Sequence, residues 1–174
     1  MIVDYIKFKY HPNLAEDEIL IRGEGICQCC GKKVTEYIEQ DIYAKENIDC
    51  LCLNCISDGS AAAKFDAEFV QDAESVSDPE KRDELFHRTP GYLAWQGEYW
   101  LACCDDYCQY LGVVGIEELD QFGIKDEVLR EYFSHSDSYP QDILEQHLKK
   151  DGDMTGYLFR CLHCRRYRLY VDAN

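Results

Sequence analysis

The chain has 174 residues, with 34 Asp and Glu against 18 Lys and Arg, a formal net charge of −16. That charge excludes a phosphate backbone as the natural partner, because an acidic surface repels it. Eleven cysteines in a chain that is 46% hydrophobic are not the staples of a coreless mini-protein, since there is material here for an ordinary apolar core.

No apolar run approaches the roughly 20 residues of a membrane helix. The opening Met1-Ile2-Val3-Asp4-Tyr5-Ile6-Lys7-Phe8-Lys9 alternates polar and apolar residues where a signal peptide would carry an apolar block. A cytoplasmic protein is expected, without a membrane partner. A disulfide framework does not persist in that compartment, so closely spaced cysteines point to metal, with Zn2+ as the ion that tetrahedral thiolate sites favour.

In chain order, Tyr5 to Tyr10 alternates like a half-buried strand that His11-Pro12-Asn13 stops. Asn13 to Glu24 is acidic and mixed. A ribbon-like hairpin is expected around Cys27 to Gly31 and Val34 to Ala44. Cys52-Leu53-Asn54-Cys55 leads into a helix that Ser57, Asp58 or Ser60 can cap. Asp66 to Glu84 reads as an exposed connection or a short helix, and Thr89-Pro90-Gly91 as a turn. After Gly112 the spacing of Ile116, Leu119 and Phe122, and of Val128, Leu129, Tyr132 and Phe133, predicts helices. A further helix is expected from Pro140 to Lys150, with Ile143, Leu144, His147 and Leu148 inward. Gly156 to Asp172 reads as a strand, a tight cysteine turn and a second strand. The fold class is therefore α+β, small zinc-ribbon-like hairpin lobes combined with a helical middle region. A single domain over 1–174 is expected, with zinc lobe 1 around 22–60, an acidic helical and aromatic middle at 61–150, and a terminal hairpin at 155–172 that closes zinc lobe 2 with 103–108.

Two cysteines separated by two residues present both sulfurs to one ion, and two such turns complete a tetrahedron. The expected structural zinc sites are Cys27, Cys30, Cys52 and Cys55 in the first, and Cys104, Cys108, Cys161 and Cys164 in the second. An interleaved pairing of the turns is the alternative. Cys29 and Cys50 read as small buried side chains or as neighbours of the metal, and Cys103 as a substitute ligand beside Cys104. Closed all-cysteine sites leave no open metal position, so no enzyme and no catalytic residue is expected. The rival reading is a zinc-dependent enzyme or an envelope or stress-response factor using Cys103, Cys104 or His163. Asp105/Asp106 and Glu117/Glu118 read as solvated charge. Arg165, Arg166 and Arg168 read as strand-face charges balancing the acidic body. The aromatic residues from Tyr92 to Tyr110 read either as a recognition surface or as packing for the second lobe.

Phe8-Lys9-Tyr10-His11-Pro12, Cys27 to Gly31, Cys52 to Ala62, Arg88-Thr89-Pro90-Gly91-Tyr92, Trp95-Gln96, Cys104 to Cys108 and the Phe159 to Asp172 hairpin together resemble the CbrC family, bacterial proteins associated with colicin E2 tolerance. Cys103 departs from that family's pattern, which has histidine before the cysteine. The resemblance implies a role in toxin tolerance. With the charge, it leads to the expectation of an immunity-type protein whose partner is a toxin domain with a basic surface.

Overall fold

The computed structural model describes residues 6–174. Of the predicted strand at 5–10, Tyr5 lies outside the described residues. Residues 6–10 form no regular strand, although the inward alternation is real: Phe8 and Tyr10 are buried while Lys7 and Lys9 are exposed. The Tyr10 carbonyl accepts the Tyr110 N–H at 2.8 Å.

After a short 3-10 turn at Leu14–Glu16, β1 (Leu20–Ile26) and β2 (Lys33–Ile38) form an antiparallel hairpin across the first cysteine turn. The segment read as merely acidic thus contains a strand; Leu20 is buried against the core while exposed Arg22 and Glu24 supply the polar face. Leu51 and Ile38 exchange N–H···O bonds at 2.9 Å, which brings the second cysteine turn against this hairpin. Cys52 is the N-cap of α1 (Leu53–Ser57), followed by α2 (Ser60–Phe65), whose first N–H is held by the Asp58 carboxylate. Leu14, Ile19, Leu51, Ile56 and Phe69 fill the core of this lobe.

The two-residue strand β3 (Asp72–Ala73) precedes α3 (Pro79–Arg88). This is a full helix where a connection was the alternative, started by Asp78 accepting the Glu80 N–H at 2.9 Å and by proline in the first turn. Next, β4 (Tyr99–Trp100) pairs in parallel with β3, and β5 (Ala102–Cys103) turns back on β6 (Asp106–Tyr107). A strand absent from the sequence reading, β7 (Gln109–Val114), then joins a three-stranded antiparallel sheet.

Three helices follow: α4 (Ile116–Gln121), α5 (Lys125–His135) and α6 (Gln141–His147). The sheet is completed by β8 (Met154–Arg160) and β9 (Tyr167–Ala173), in the order β7-β8-β9. One face of the sheet meets Leu119, Val128, Leu129 and Leu144 of the helices, and the other an aromatic core of Tyr92, Trp100, Tyr110 and Phe159. Two expected inward residues point out: Phe122 is 61% exposed, just beyond the end of α4, and His147 is exposed. Helix α6 stops at His147, because the Leu148 C-cap turns extended and bridges to Met154.

The His11 and Pro90 segments converge. The His11 Nδ1 N–H donates to the Pro90 carbonyl at 3.1 Å. Gly91 is required beside them: a Cβ there would lie 2.1 Å from Glu98 Oε1 and 2.6 Å from the Phe69 carbonyl. Glu98 is 2% exposed, and Tyr43 donates its hydroxyl to Oε2. Burial, aided by the charge of Asp41 and only partly offset by the Tyr43 hydrogen bond, lifts the Glu98 carboxyl from its usual 4.5 to about 7. The folded state therefore favours the protonated form. The resulting stability is fully present below pH 4.5 and is lost as pH rises through 7. Between about pH 5 and pH 8 the chain should lose about 3 kcal/mol through this group, and Glu98→Gln should flatten that limb of a urea-unfolding profile measured against pH. An equal slope in the variant would assign the dependence to other groups.

Candidate metal centre

The first cysteine group is assembled by two chain reversals. At the end of β1 the Cys27 N–H donates to the Lys32 carbonyl at 2.9 Å, and the Gly31 N–H to the Cys27 carbonyl at 2.8 Å. Gly31 has φ +72°, a left-handed conformation that glycine adopts without steric cost. The second reversal enters α1 at Cys52, so Cys55 stands within one helical turn of it. The ligand atoms of Cys27, Cys30, Cys52 and Cys55 all lie within 4.8 Å of one another, with Cys30 Sγ and Cys52 Sγ 3.9 Å apart. A zinc tetrahedron with Zn–S of about 2.3 Å has sulfurs about 3.8 Å apart, so the spacing fits such an ion. Three of the four thiols are buried and Cys30 is exposed.

Backbone donors point at these sulfurs. Burial raises the Cys27 thiol, but N–H groups of Cys52, Cys30 and Cys29 outweigh it and bring the group down to about 7; the Cys52 N–H lies 3.3 Å from Cys27 Sγ. Such donors stabilise the thiolate a metal requires. Lys64 of α2 ties the turn down by donating to the Gln28 and Cys29 carbonyls at 2.8 Å each. Cys29 and Cys50 stand outside the four: the Cys29 thiol faces Ser60 Oγ at 3.7 Å, and Cys50 is buried against Gly25, where a Cβ would come within 2.9 Å of its sulfur.

The second group departs from the expected ligands. Cys103, Cys104, Cys161 and Cys164 come together with ligand atoms within 4.8 Å of one another. Cys103 Sγ is 3.8 Å from Cys104 Sγ and 3.6 Å from Cys164 Sγ. Cys108 is not among them. The reason is the β5–β6 hairpin: Cys104 and Asp105, at φ +56° and +54°, form its two-residue tip, and Cys103 pairs with Asp106 beside it. Cys108 falls opposite Leu101 at the far end, donating its N–H to the Leu101 carbonyl at 2.9 Å, fully buried beneath Trp100. Adjacent cysteines at a hairpin tip thus replace a spaced pair.

The β8–β9 turn supplies the other half. The Cys161 N–H donates to the Arg166 carbonyl at 2.9 Å, and the His163 and Cys164 N–H groups each lie 3.4 Å from Cys161 Sγ. Arg165, at φ +63°, occupies the place Gly31 holds in the first turn. The backbone N–H of Arg166 pulls the Cys164 thiol down to about 6. Cys104 and Cys164 are exposed, Cys103 half-buried and Cys161 buried, so this group is the more open of the two.

His163 does not join the thiols. Its Nε2 lies 2.8 Å from Asp106 Oδ2, while Tyr10 donates its hydroxyl to Oδ1 at 2.8 Å. Asp106 is 3% exposed, which corrects its reading as solvated charge. Burial would raise its carboxyl, but the bonds from His163 and Tyr10 and the charges of Lys9 and Lys81 hold it below the usual range. Glu118 caps α4 by accepting the Gly115 N–H at 2.8 Å. Arg168 is likewise not a surface charge: it is buried and holds Glu74 with two bonds at 3.0 and 3.1 Å, while Arg165 and Arg166 are exposed.

Two four-thiol groups on small hairpins, within a mixed α and antiparallel β fold, define a cysteine-cluster protein with zinc-ribbon-like sites able to hold metal ions. The chain belongs to the family described as "Uncharacterised protein family (UPF0167)", whose model matches residues 6–173. The UPF0167 proteins of Mycobacterium bovis and Mycobacterium tuberculosis are each 34% identical to it over 173 residues, 95% of this chain and 92% of theirs. A UPF0167 protein of Pseudomonas aeruginosa is 34% identical over 174 residues, 95% of both chains. No solved structure matches the chain. Among the described residues no helix is long and apolar enough to cross a membrane.

Proposed function

We propose that the chain is a cytoplasmic, non-enzymatic binding protein, stabilised by two zinc ions, that neutralises a basic protein partner. In line with its likeness to the colicin-tolerance family, that partner is the nuclease domain of a toxin. The observation that carries the proposal is the pairing of all-thiolate groups with a net charge of −16. Four thiolates around one Zn2+ leave a double negative charge and no open coordination position, so metal adds to the acidic field and supplies no activated water. Opposite charge on a nucleic-acid-binding partner would steer association and be screened by salt.

The test uses the zinc-loaded chain with the isolated nuclease domain of colicin E2. Association should slow by about tenfold or more between low salt and about 0.5 M salt, and DNA cleavage by the domain should be inhibited stoichiometrically. Absence of binding at low salt, with cleavage unaffected, overturns the toxin reading.

A further inference from the structure

A cleft of about 1060 Å³ runs beside β7, away from both cysteine groups. It meets five consecutive residues of that strand, Tyr110 to Val114. Thr155, Tyr157 and Leu158 of β8 and Tyr167 of β9 line it as well. The outer edge of β7 is partly occupied within the chain, the Tyr110 N–H donating to the Tyr10 carbonyl at 2.8 Å and the Leu111 carbonyl accepting from Asn13 Nδ2 at 3.1 Å, so the cleft offers side chains and not an open strand edge.

Two exposed aromatic residues flank the cleft: Trp95 is 57% and Phe122 61% exposed. Trp95 is held by its surroundings. The next residue, Gln96, donates its backbone N–H to buried Asp172 at 2.8 Å and its side-chain amide to the Ala173 carbonyl at 2.8 Å. Phe122 is fixed by its N–H bond to Glu118 at the end of α4. Aromatic side chains exposed at the rim of an apolar cleft, on backbone held in place, have the character of binding anchors.

The polar lining has one dominant sign. Glu16, Asp17, Glu18, Glu118 and Asp151 face Lys150 alone. Asp17 is backed by His11 Nε2, a buried nitrogen without a hydrogen-bond partner that stands 3.4 Å from Asp17 Oδ2. We propose that this cleft binds an arginine-bearing segment of a protein partner through its side-chain lining. Trp95 and Phe122 engage its side chains, while Glu16, Asp17, Glu18 and Asp151 receive its guanidinium groups. A guanidinium suits this lining because it stacks on an indole face and is bound by carboxylates through paired hydrogen bonds. The proposal rests on the acidic-binder reading above and locates its contact surface.

The probe is a short peptide of alternating arginine and leucine, with an alternating glutamate and leucine peptide as the control, titrated into the full zinc-loaded chain. Binding is followed by anisotropy of the labelled peptide and by a blue shift of Trp95 emission. Trp95→Ala with Phe122→Ala should weaken the arginine peptide by about tenfold or more. The triple change Glu16→Gln, Glu18→Gln and Asp151→Asn should weaken it more than the charge-matched triple Glu127→Gln, Asp137→Asn and Asp142→Asn at exposed positions of α5, α6 and the connection between them. If the two triples are equivalent and the aromatic double variant binds normally, the cleft is overturned while a general acidic binder survives. If neither the arginine peptide nor the colicin E2 nuclease domain binds at low salt, both readings fall.

Discussion

Replacing Cys103 with serine should lower the bound zinc from two ions per chain to one, whereas Cys108→Ser should leave two. The contrast follows from the hairpin that places Cys103 Sγ within 3.8 Å of Cys104 Sγ and 3.6 Å of Cys164 Sγ while burying Cys108 at its opposite end. A structural zinc contributes about 10–16 kcal/mol of apparent folding free energy at neutral pH, against a total stability of about 5–15 kcal/mol for an ordinary domain. Removing a ligand is therefore expected to unfold its lobe. Cys55→Ser should have the largest effect, since its group is mostly buried and organises α1 and the β1–β2 hairpin together. Elemental analysis of purified variants gives the ion count, and amide exchange shows which lobe has opened. Two zinc ions in Cys103→Ser with one in Cys108→Ser would restore the spaced pair as the ligand set. A graded chelator titration of the unaltered chain should release the Cys103 group's ion first, because two of its thiols are exposed.

The first group was legible in the sequence because each half is a local motif. Two residues between cysteines and a glycine after Cys30 specify a turn without reference to the rest of the chain. The second was half legible. Its Cys161–Cys164 turn is local, but its other half depends on where the β5–β6 hairpin reverses. Cys104 and Asp105 both adopt left-handed conformations there, which neither residue announces as Asn-Gly would. β7 was hidden for a related reason. Tyr110 and Val114 are buried, while Leu111, Gly112 and Val113 between them are half-buried, and a register shift between Tyr110 and Gly112 breaks the period-two pattern. The helices after Gly115 were readable from their apolar spacing. The exceptions, Phe122 and His147, lie at helix ends, where periodicity no longer determines which way a side chain faces.

The two tryptophans should separate packing from recognition in a single measurement. Trp100 is completely buried. Its ring centroid lies 5.4 Å from that of Tyr92, 5.7 Å from Phe159 and 6.1 Å from Tyr110. Its indole N–H donates to the Cys108 carbonyl at 2.8 Å. Trp100→Ala should cost about 3–5 kcal/mol, from lost burial and the cavity left behind, with about 1 kcal/mol more for the carbonyl left unpaired. At roughly 2–4 °C per kcal/mol for a chain of this size, the melting temperature should fall by about 8–24 °C. Trp95→Ala, at an exposed position, should change stability by less than about 0.5 kcal/mol. The Trp100 change should also weaken metal retention at the second group, since Trp100 holds the Cys108 end of the hairpin whose tip carries Cys103 and Cys104. The aromatic stretch from Tyr92 to Tyr110 would then divide by position. Tyr92, Trp100 and Tyr110 hold the sheet against the second cysteine group, and Trp95, on its pinned loop, is left to the solvent-facing cleft. Equal melting temperatures for Trp95→Ala and Trp100→Ala would contradict that division, as would unchanged zinc retention in Trp100→Ala.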